Sequence, residues 1–403
     1  MKIVIHTMYY LPEFGSAPIL MNELAESLAR RGHEVEIVTT LPRPPHNKGY
    51  EGRMYVKERR SGFTVKRTLT NFTAHHIGRL IAWSIYTLFS MAHLATIKRG
   101  EVVFLRLPPL QLGVTGIMAR HLRGARVLLN VQDIHPDLSI ESGLLRNPFL
   151  IKAALAFERW IYRHHRNIVV ISDGFKKNLL AKGVPAAKVS VIPNWVDTDF
   201  LRPLEKDNPV ARTYGLADRF VVMYSGTISI SSYDTLVRLL DAAALLRDDP
   251  NVLFALVGDG FKAKDLKAEA ERRGLPNVAF IPFQPYPDLP HLMASADVLL
   301  VPLDKEKSLL SVPSKLYNFM AAGRPILGLA VEESEVHALI AGSGCGTTVP
   351  PDDPARIAAA IRGLAADPDA RGRQAAAGRA HALAHYSRES VLDAFERLME
   401  SME

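Results

Sequence analysis

The run Ser311-Val-Pro-Ser-Lys-Leu-Tyr-Asn-Phe-Met-Ala-Ala-Gly-Arg-Pro-Ile-Leu327 combines a cation, hydroxyls and an amide at helical spacing. Ser311 and Ser314 flank Pro313, an amphipathic stretch follows, and Gly323 ends it. That pattern predicts a helix starting near Ser314. A helix start presents free N–H groups and partial positive charge, which suits a phosphate. Lys315 in the first turn opposes the helix dipole unless an anion shares the site. Asn318 lies one turn further on the same face, within reach of a sugar hydroxyl. An ordinary capped surface helix has the same spacing, so this stretch does not decide the matter alone.

Other segments carry related chemistry. Leu11-Pro-Glu-Phe-Gly-Ser-Ala-Pro18 follows a first strand, and Gly15 and Ser16 would let a phosphate approach the backbone at a helix start. Val257-Gly-Asp-Gly-Phe-Lys-Ala263 matches a Gly-x-Gly-x-x-Ala dinucleotide fingerprint. It lies outside a first βαβ unit and has no acidic residue about 20 positions on, so NAD is excluded and a mononucleotide loop remains. Val131-Gln-Asp-Ile-His-Pro-Asp137 sets two carboxylates and a histidine at a strand end. It reads either as proton-handling and sugar-contacting chemistry or as a satisfied turn. The sequence has no metal-ligand spacing, no P-loop and no Gly-x-Ser-x-Gly elbow. No recognisable reading motif points to nucleic acid.

The elements that must position these residues alternate. Apolar runs at Lys2–Met8, Glu34–Thr40, Val102–Arg106, Val127–Val131 and Ile168–Ile171 are separated by helical patterns. The rhythm restarts with Phe220–Tyr224, Val252–Val257, Val278–Ile281, Val298–Val301 and Pro325–Leu329. A chain of 403 residues exceeds one usual core. The expectation is an α/β chain of two Rossmann-like domains facing a central cleft, with ligands beyond the carboxyl ends of the strands. The Pro- and Asp-rich run Ile192–Pro203 suits the connection, and Arg388–Met399 is a final helix with no strand after it.

Charge is uneven. Residues 1–200 hold 27 Lys and Arg against 15 Asp and Glu, a net +12, and the remainder nets −5. The basic half points to an anionic partner such as a membrane surface or a lipid diphosphate. Its densest part is Arg53, Lys57, Arg59, Arg60, Lys66 and Arg67, which also reads as a solvated face. Residues 80–97 lack charge between Arg79 and Lys98-Arg99, and contain Trp83, Tyr86, Phe89 and Met91. They are read as a spanning, interfacial or packed helix, the packed reading leading. One cysteine, Cys345, excludes an internal disulfide, and the N-terminus carries no signal-peptide pattern. Both fit a cytoplasmic location, and the basic half with the 77–99 segment adds the expectation of a peripheral place on the inner face of the cell membrane.

In order along the chain, Gly15-Ser16, Arg31-Gly-His-Glu-Val35, Val131–Asp137, Ile171-Ser-Asp-Gly-Phe175, Ile192-Pro-Asn-Trp-Val-Asp197, Val257–Gly260, Ala296-Asp-Val298, Pro313-Ser-Lys315 and Met320-Ala-Ala-Gly-Arg-Pro325 resemble a known family. This is the GT-B-fold retaining glycosyltransferases of family 4, in the subgroup building colanic acid, capsule and O-antigen. The resemblance implies transfer of a hexose or amino-sugar from a nucleotide-diphosphate sugar to a hydroxyl of a polyprenyl-diphosphate-linked glycan, with no metal and no further cofactor. It implies an acceptor domain at 1–195, a donor domain at 196–385, and a helix at 386–403 returning to the first domain. By position it assigns Gly15, Ser16, Gly226, Thr227, Gly258, Asp259, Gly260, Gln284, Ser314, Lys315 and Asn318 to the donor, and Asp133, His135 and Lys315 to catalysis. Two departures stand out. The family commonly has two glutamates where this chain has Leu310 and Asn318, and the loop Ser225–Asp234 lacks the usual basic pair. Lys315 is the candidate to supply the missing positive charge. Two alternatives share the fold: a nucleotide-sugar epimerase, and a non-catalytic nucleotide-sugar-binding protein.

Overall fold

The computed structural model describes residues 1–403 apart from Phe14, 71–75, Ser142, 304–312 and Glu403. The chain divides into two compact units, 1–194 joined by 391–403, and 195–390. Ser311 and Leu310 of the sequence reading lie outside the described residues.

Among the described residues the first unit holds eight strands: β1 (Lys2–His6), β2 (Glu34–Thr40), β3 (Tyr55–Arg60), β4 (Phe63–Thr68), β5 (Val102–Leu107), β6 (Arg126–Val131), β7 (Asn167–Val170) and β8 (Val189–Val191). They form one sheet in the order β3-β4-β2-β1-β5-β6-β7-β8, parallel except for the β3–β4 pair. β1, β5 and β6 are almost wholly apolar and buried, as a parallel strand covered on both faces must be. Val103, Leu105 and Leu107 pack with Trp83, Tyr86, Leu112, Ile161 and Tyr162 in one core. Helices His76–His93, Leu112–Arg123 and Pro148–His164 lie side by side there. On the opposite face of β5, Phe104 meets Phe395 of helix Arg388–Ser401 at 5.8 Å.

The basic stretch 53–67, read either as facing an anionic partner or as a solvated face, is only partly exposed. It is a β-hairpin turned by Ser61 and Gly62, both at positive φ. Arg53, Lys57 and Arg59 are exposed, but Lys66 pairs with Glu36 at 2.9 Å and Arg67 is fully buried. The uncharged 80–97 segment likewise turns Trp83 and Tyr86 inward, while Leu80, Ile81 and Leu88 face out. No helix among the described residues is long and apolar enough to cross a membrane.

The second unit has six parallel strands among the described residues: β9 (Phe220–Ser225), β10 (Val252–Val257), β11 (Val278–Ile281), β12 (Val298–Pro302), β13 (Ile326–Leu329) and β14 (Gly346–Val349), ordered β11-β10-β9-β12-β13-β14. Val221 and Met223 pack with Leu316, Phe319 and Met320 on one face, and Val222 and Tyr224 with Leu236, Leu239 and Leu240 on the other. The chain runs outward from β9 in both directions, so the β9–β12 boundary is a switch point. Its carboxyl end is where open α/β sheets hold ligands. The corresponding point in the first unit lies between β1 and β5.

Candidate active site

In the second unit three glycine positions shape the carboxyl edge. Gly226, Gly258 and Gly260 have φ of +152°, +134° and +152°. A Cβ on Gly258 would meet the Gly226 carbonyl oxygen at 2.1 Å, and one on Gly260 the Ile228 carbonyl oxygen at 2.4 Å. Glycine is therefore required for the loops after β9 and β10 to touch backbone to backbone. Ile228 N donates to Asp259 O at 3.0 Å and Lys262 N to Ile228 O at 3.1 Å, which locks the two loops together. Thr227 is exposed at the tip, and its carbonyl accepts from the Tyr224 hydroxyl at 2.7 Å.

Lys315 completes this edge. Its Nζ lies 4.4 Å from the centre of the Tyr224 ring, and a Cβ on Gly226 would sit 2.8 Å from it. Lys315 is half-buried and makes no ion pair among the described residues. Burial pushes its ammonium down to about 8 from its ordinary 10.5. Arg324, beyond the carboxyl end of the same helix, is spent internally, donating to Leu204 O and Ala294 O at 2.7 Å each.

The helix runs Lys315–Ala321, flanked by Ser314 and Ala322 as the sequence pattern expects, but the Ser314 side chain makes no capping bond because Ser314 already has helical φ and ψ. A helix of two turns has a weak dipole, so the positive charge at this edge comes from the Lys315 ammonium. Asn318 is half-buried in the following turn. The Asp259 carboxylate is exposed and accepts from Gly260 N at 2.7 Å, shaping its own loop. Gln284 donates to the Tyr214 hydroxyl at 2.9 Å and to Pro282 O at 2.8 Å.

In the first unit the loop carrying Gly15 and Ser16 is clamped from below. Arg67 donates to Leu11 O at 2.7 Å and pairs with Glu58 at 2.7 Å. Arg43 holds buried Glu13 through two bonds of 2.9 and 3.0 Å. Thr39 and Thr40 hydroxyls both donate to Met8 O. Gly15, at φ +143°, then feeds helix Ser16–Arg30, and both Gly15 and Ser16 are exposed.

The loop after β6 carries Asp133 and His135. Asp133 is exposed. His135 is half-buried against the edge of Trp83, 5.6 Å between ring centres, and its Nδ1 lies 3.2 Å from the Ser139 hydroxyl. Burial lowers its pKa from the ordinary 6.5, which favours the neutral ring. Asp137 is used structurally: it accepts from Asn178 at 2.9 Å and pairs with Lys182 at 2.8 Å. Lys182 also pairs with fully buried Glu158 at 2.7 Å. Of the two carboxylates in Asp133–Asp137, only Asp133 is left facing solvent.

Sequence reading passed over Arg106, Asn130 and Gln132 at this edge. Gln132 donates to Asn130 at 2.8 Å and accepts from Asn194 at 2.9 Å, so Asn194 of the connecting motif braces the Asp133 loop. The available signal was Arg106 itself, a lone charge ending the apolar run Val102–Leu107. His33, Glu396 and Glu400 form the one group among the described residues spaced to hold a metal ion. It lies at the amino-terminal edge of the sheet, and Glu396 is already paired with Arg31.

Comparisons with known proteins agree with this architecture. The Glycosyl transferase 4-like domain model matches residues 17–195 and the Glycosyl transferases group 1 model matches 219–367. The chain is 29% identical over 377 residues to the putative colanic acid biosynthesis glycosyl transferase WcaI of Escherichia coli, covering 85% of this chain and 91% of the relative. It is 26% identical over 276 residues to the probable glycosyltransferase WbjE of Pseudomonas aeruginosa, covering 68% of each. In three dimensions it is similar to Anabaena Alr3699/HepE solved with UDP, with a TM-score of 0.75, 17% identity and full coverage of both chains. Matched in both halves by glycosyltransferase domain models and along most of its length by a glycosyltransferase relative, the chain belongs to the family 4 glycosyltransferases of GT-B fold.

Proposed function

We propose that the protein is a retaining glycosyltransferase of surface polysaccharide biosynthesis. It would move a hexose or amino-sugar from a nucleotide-diphosphate donor to a hydroxyl of a polyprenyl-diphosphate-linked glycan, without a metal. The observation carrying this reading is Lys315, a half-buried ammonium without an ion-pair partner among the described residues. It sits at the switch-point edge of the second unit beside the Gly226 backbone. A leaving diphosphate gains negative charge as the sugar departs, and a fixed cation at that place stabilises the transition state. Gly226, Thr227, Gly258, Asp259, Gly260, Gln284, Ser314 and Asn318 are assigned to the same donor, as are Gly15 and Ser16 of the first unit. Asp133 and His135 are assigned to the transferred sugar. The UDP held by HepE and the colanic acid in the name of WcaI support the substrate class.

The test is a thermal-shift screen against UDP-, GDP- and ADP-sugars, since a ligand bound by the folded form raises the melting temperature. A rise with one nucleotide class, followed by acceptor-dependent release of that nucleotide, is the expected result. Donor conversion without acceptor would mean an epimerase, and binding without turnover across an acceptor panel a binding protein.

The reading also places the first unit at an anionic membrane surface. The three adjacent helices His76–His93, Leu112–Arg123 and Pro148–His164 contain one carboxylate, Glu158, which is buried against Lys182. Their outward residues include Leu80, Leu88, Leu122, Phe149 (78% exposed) and Trp160 (41% exposed), with Lys152, Arg159 and Arg163 between them. Apolar and aromatic side chains interspersed with cations suit a lipid headgroup layer.

A further inference from the structure

The carboxyl end of β5 holds a charge that the fold leaves alone. Arg106 is 7% exposed, its Nε is buried without an acceptor, and it makes no hydrogen bond or ion pair among the described residues. A guanidinium taken out of water without a partner is strongly unfavourable. The same chain shows how it satisfies a buried arginine. Arg67, 0% exposed, pairs with Glu58, donates to two carbonyls and stacks on Tyr10 and Tyr50. Arg106 has none of this.

A second orphan stands next to it. Asn130 is the register partner of Arg106 on β6 and is fully buried. Its Oδ1 accepts from Gln132, and its Nδ2 has no partner. Two unfilled donors thus adjoin on neighbouring strands, beside the switch point of the first unit. Donors alone select an acceptor-only group, and a fixed cation selects a negative one. The nearby carboxylate is exposed Asp133, whose field favours the charged form of Arg106. It would accept a sugar hydroxyl while Arg106 holds an oxyanion.

We infer that Arg106 and Asn130 form an oxyanion subsite for the acceptor, which therefore carries a phosphate or carboxylate close to its reacting sugar. This rests on the acceptor binding to the first unit. Two sources share the chemistry: the diphosphate of a lipid carrier and the carboxylate of an acidic sugar.

The experiment titrates the full chain, held in saturating UDP to occupy the donor edge, with inorganic pyrophosphate in one arm and glucuronate in the other. The proteins are wild type, Arg106→Met and Arg106→Lys. One anion is expected to bind the wild type, and the arm that responds names the source. Arg106→Met should weaken it about ten- to hundredfold with UDP affinity unchanged, and Arg106→Lys should restore part of the loss. In anion-free buffer Arg106→Met should melt no lower than wild type, because it removes an unpaired buried charge. A lower melting temperature for Arg106→Met with anion binding retained would give Arg106 a purely structural role and overturn the subsite. So would absence of binding in both arms. If the wild type bound an anion but no nucleotide, the donor reading would fail and the subsite would stand.

Discussion

At the residue scale the proposed function turns on the Lys315 ammonium. The folded chain releases its proton near pH 8, against 10.5 ordinarily, because burial disfavours the charged form. Between those values the unfolded chain binds more protons, so this group raises stability as pH rises there. On the proposed reading donor binding runs the other way, since it would use the cation. Affinity for UDP is expected to fall as pH is raised from 7 through 9, measured by calorimetric titration. Lys315→Met should flatten that dependence and lower kcat on the order of a hundredfold. Near-normal turnover in that variant would remove Lys315 from the chemistry. Lys315 and the glycines were legible because their types are unusual for their positions. Arg106 and Asn130 were not, because each sits inside an apolar run and only the strand register makes them neighbours.

At the element scale the two loops after β9 and β10 act as one body. Gly258→Ala would drive a methyl into the Gly226 carbonyl at a φ that alanine rarely adopts. The expected loss is about 2–3 kcal/mol of stability, read from denaturant melts, with a raised KM for donor and a smaller effect on kcat. A variant as stable as wild type would show that the loops can part freely. Strands β2, β10 and β11 were read to the residue from continuous apolar or β-branched runs. The β3–β4 hairpin was missed because Lys57–Arg60 is an unbroken charged run, and the inward row of β4 ends in Arg67, which looks like surface in a sequence. β8 was missed because three residues are too few to show a period, and β14 because Gly346-Thr-Thr-Val349 holds a single large apolar residue. The stretch at Lys315 was read as a helix with nearly its observed bounds, because Pro313-Ser314 and Gly323 punctuate both its ends.

At the scale of the whole molecule the charge asymmetry becomes a surface property. The net +12 of residues 1–200 lies in the part of the chain that carries the carboxylate-poor helices. Sedimentation with vesicles rich in anionic phospholipid should retain the protein, and neutral vesicles should not. Salt should weaken retention over the range where screening lengths fall from about 10 to 3 Å. The double variant Phe149→Ser, Trp160→Ser should lose most of the interaction while binding UDP normally. Equal retention by neutral and anionic vesicles would sink the electrostatic part.

Helix Arg388–Ser401 begins in the second unit and ends in the first, where Phe395 lies against Phe104 and Glu396 bonds His33 at 2.7 Å. The first unit is therefore built from pieces almost two hundred residues apart in the chain. A fragment ending at Asn194 would leave the Phe104 face of its sheet uncovered. It should melt early or aggregate when expressed alone. A synthetic peptide spanning 388–402, added in trans, should seat on that face and restore a cooperative melt, which makes this enzyme a candidate for split-protein reassembly.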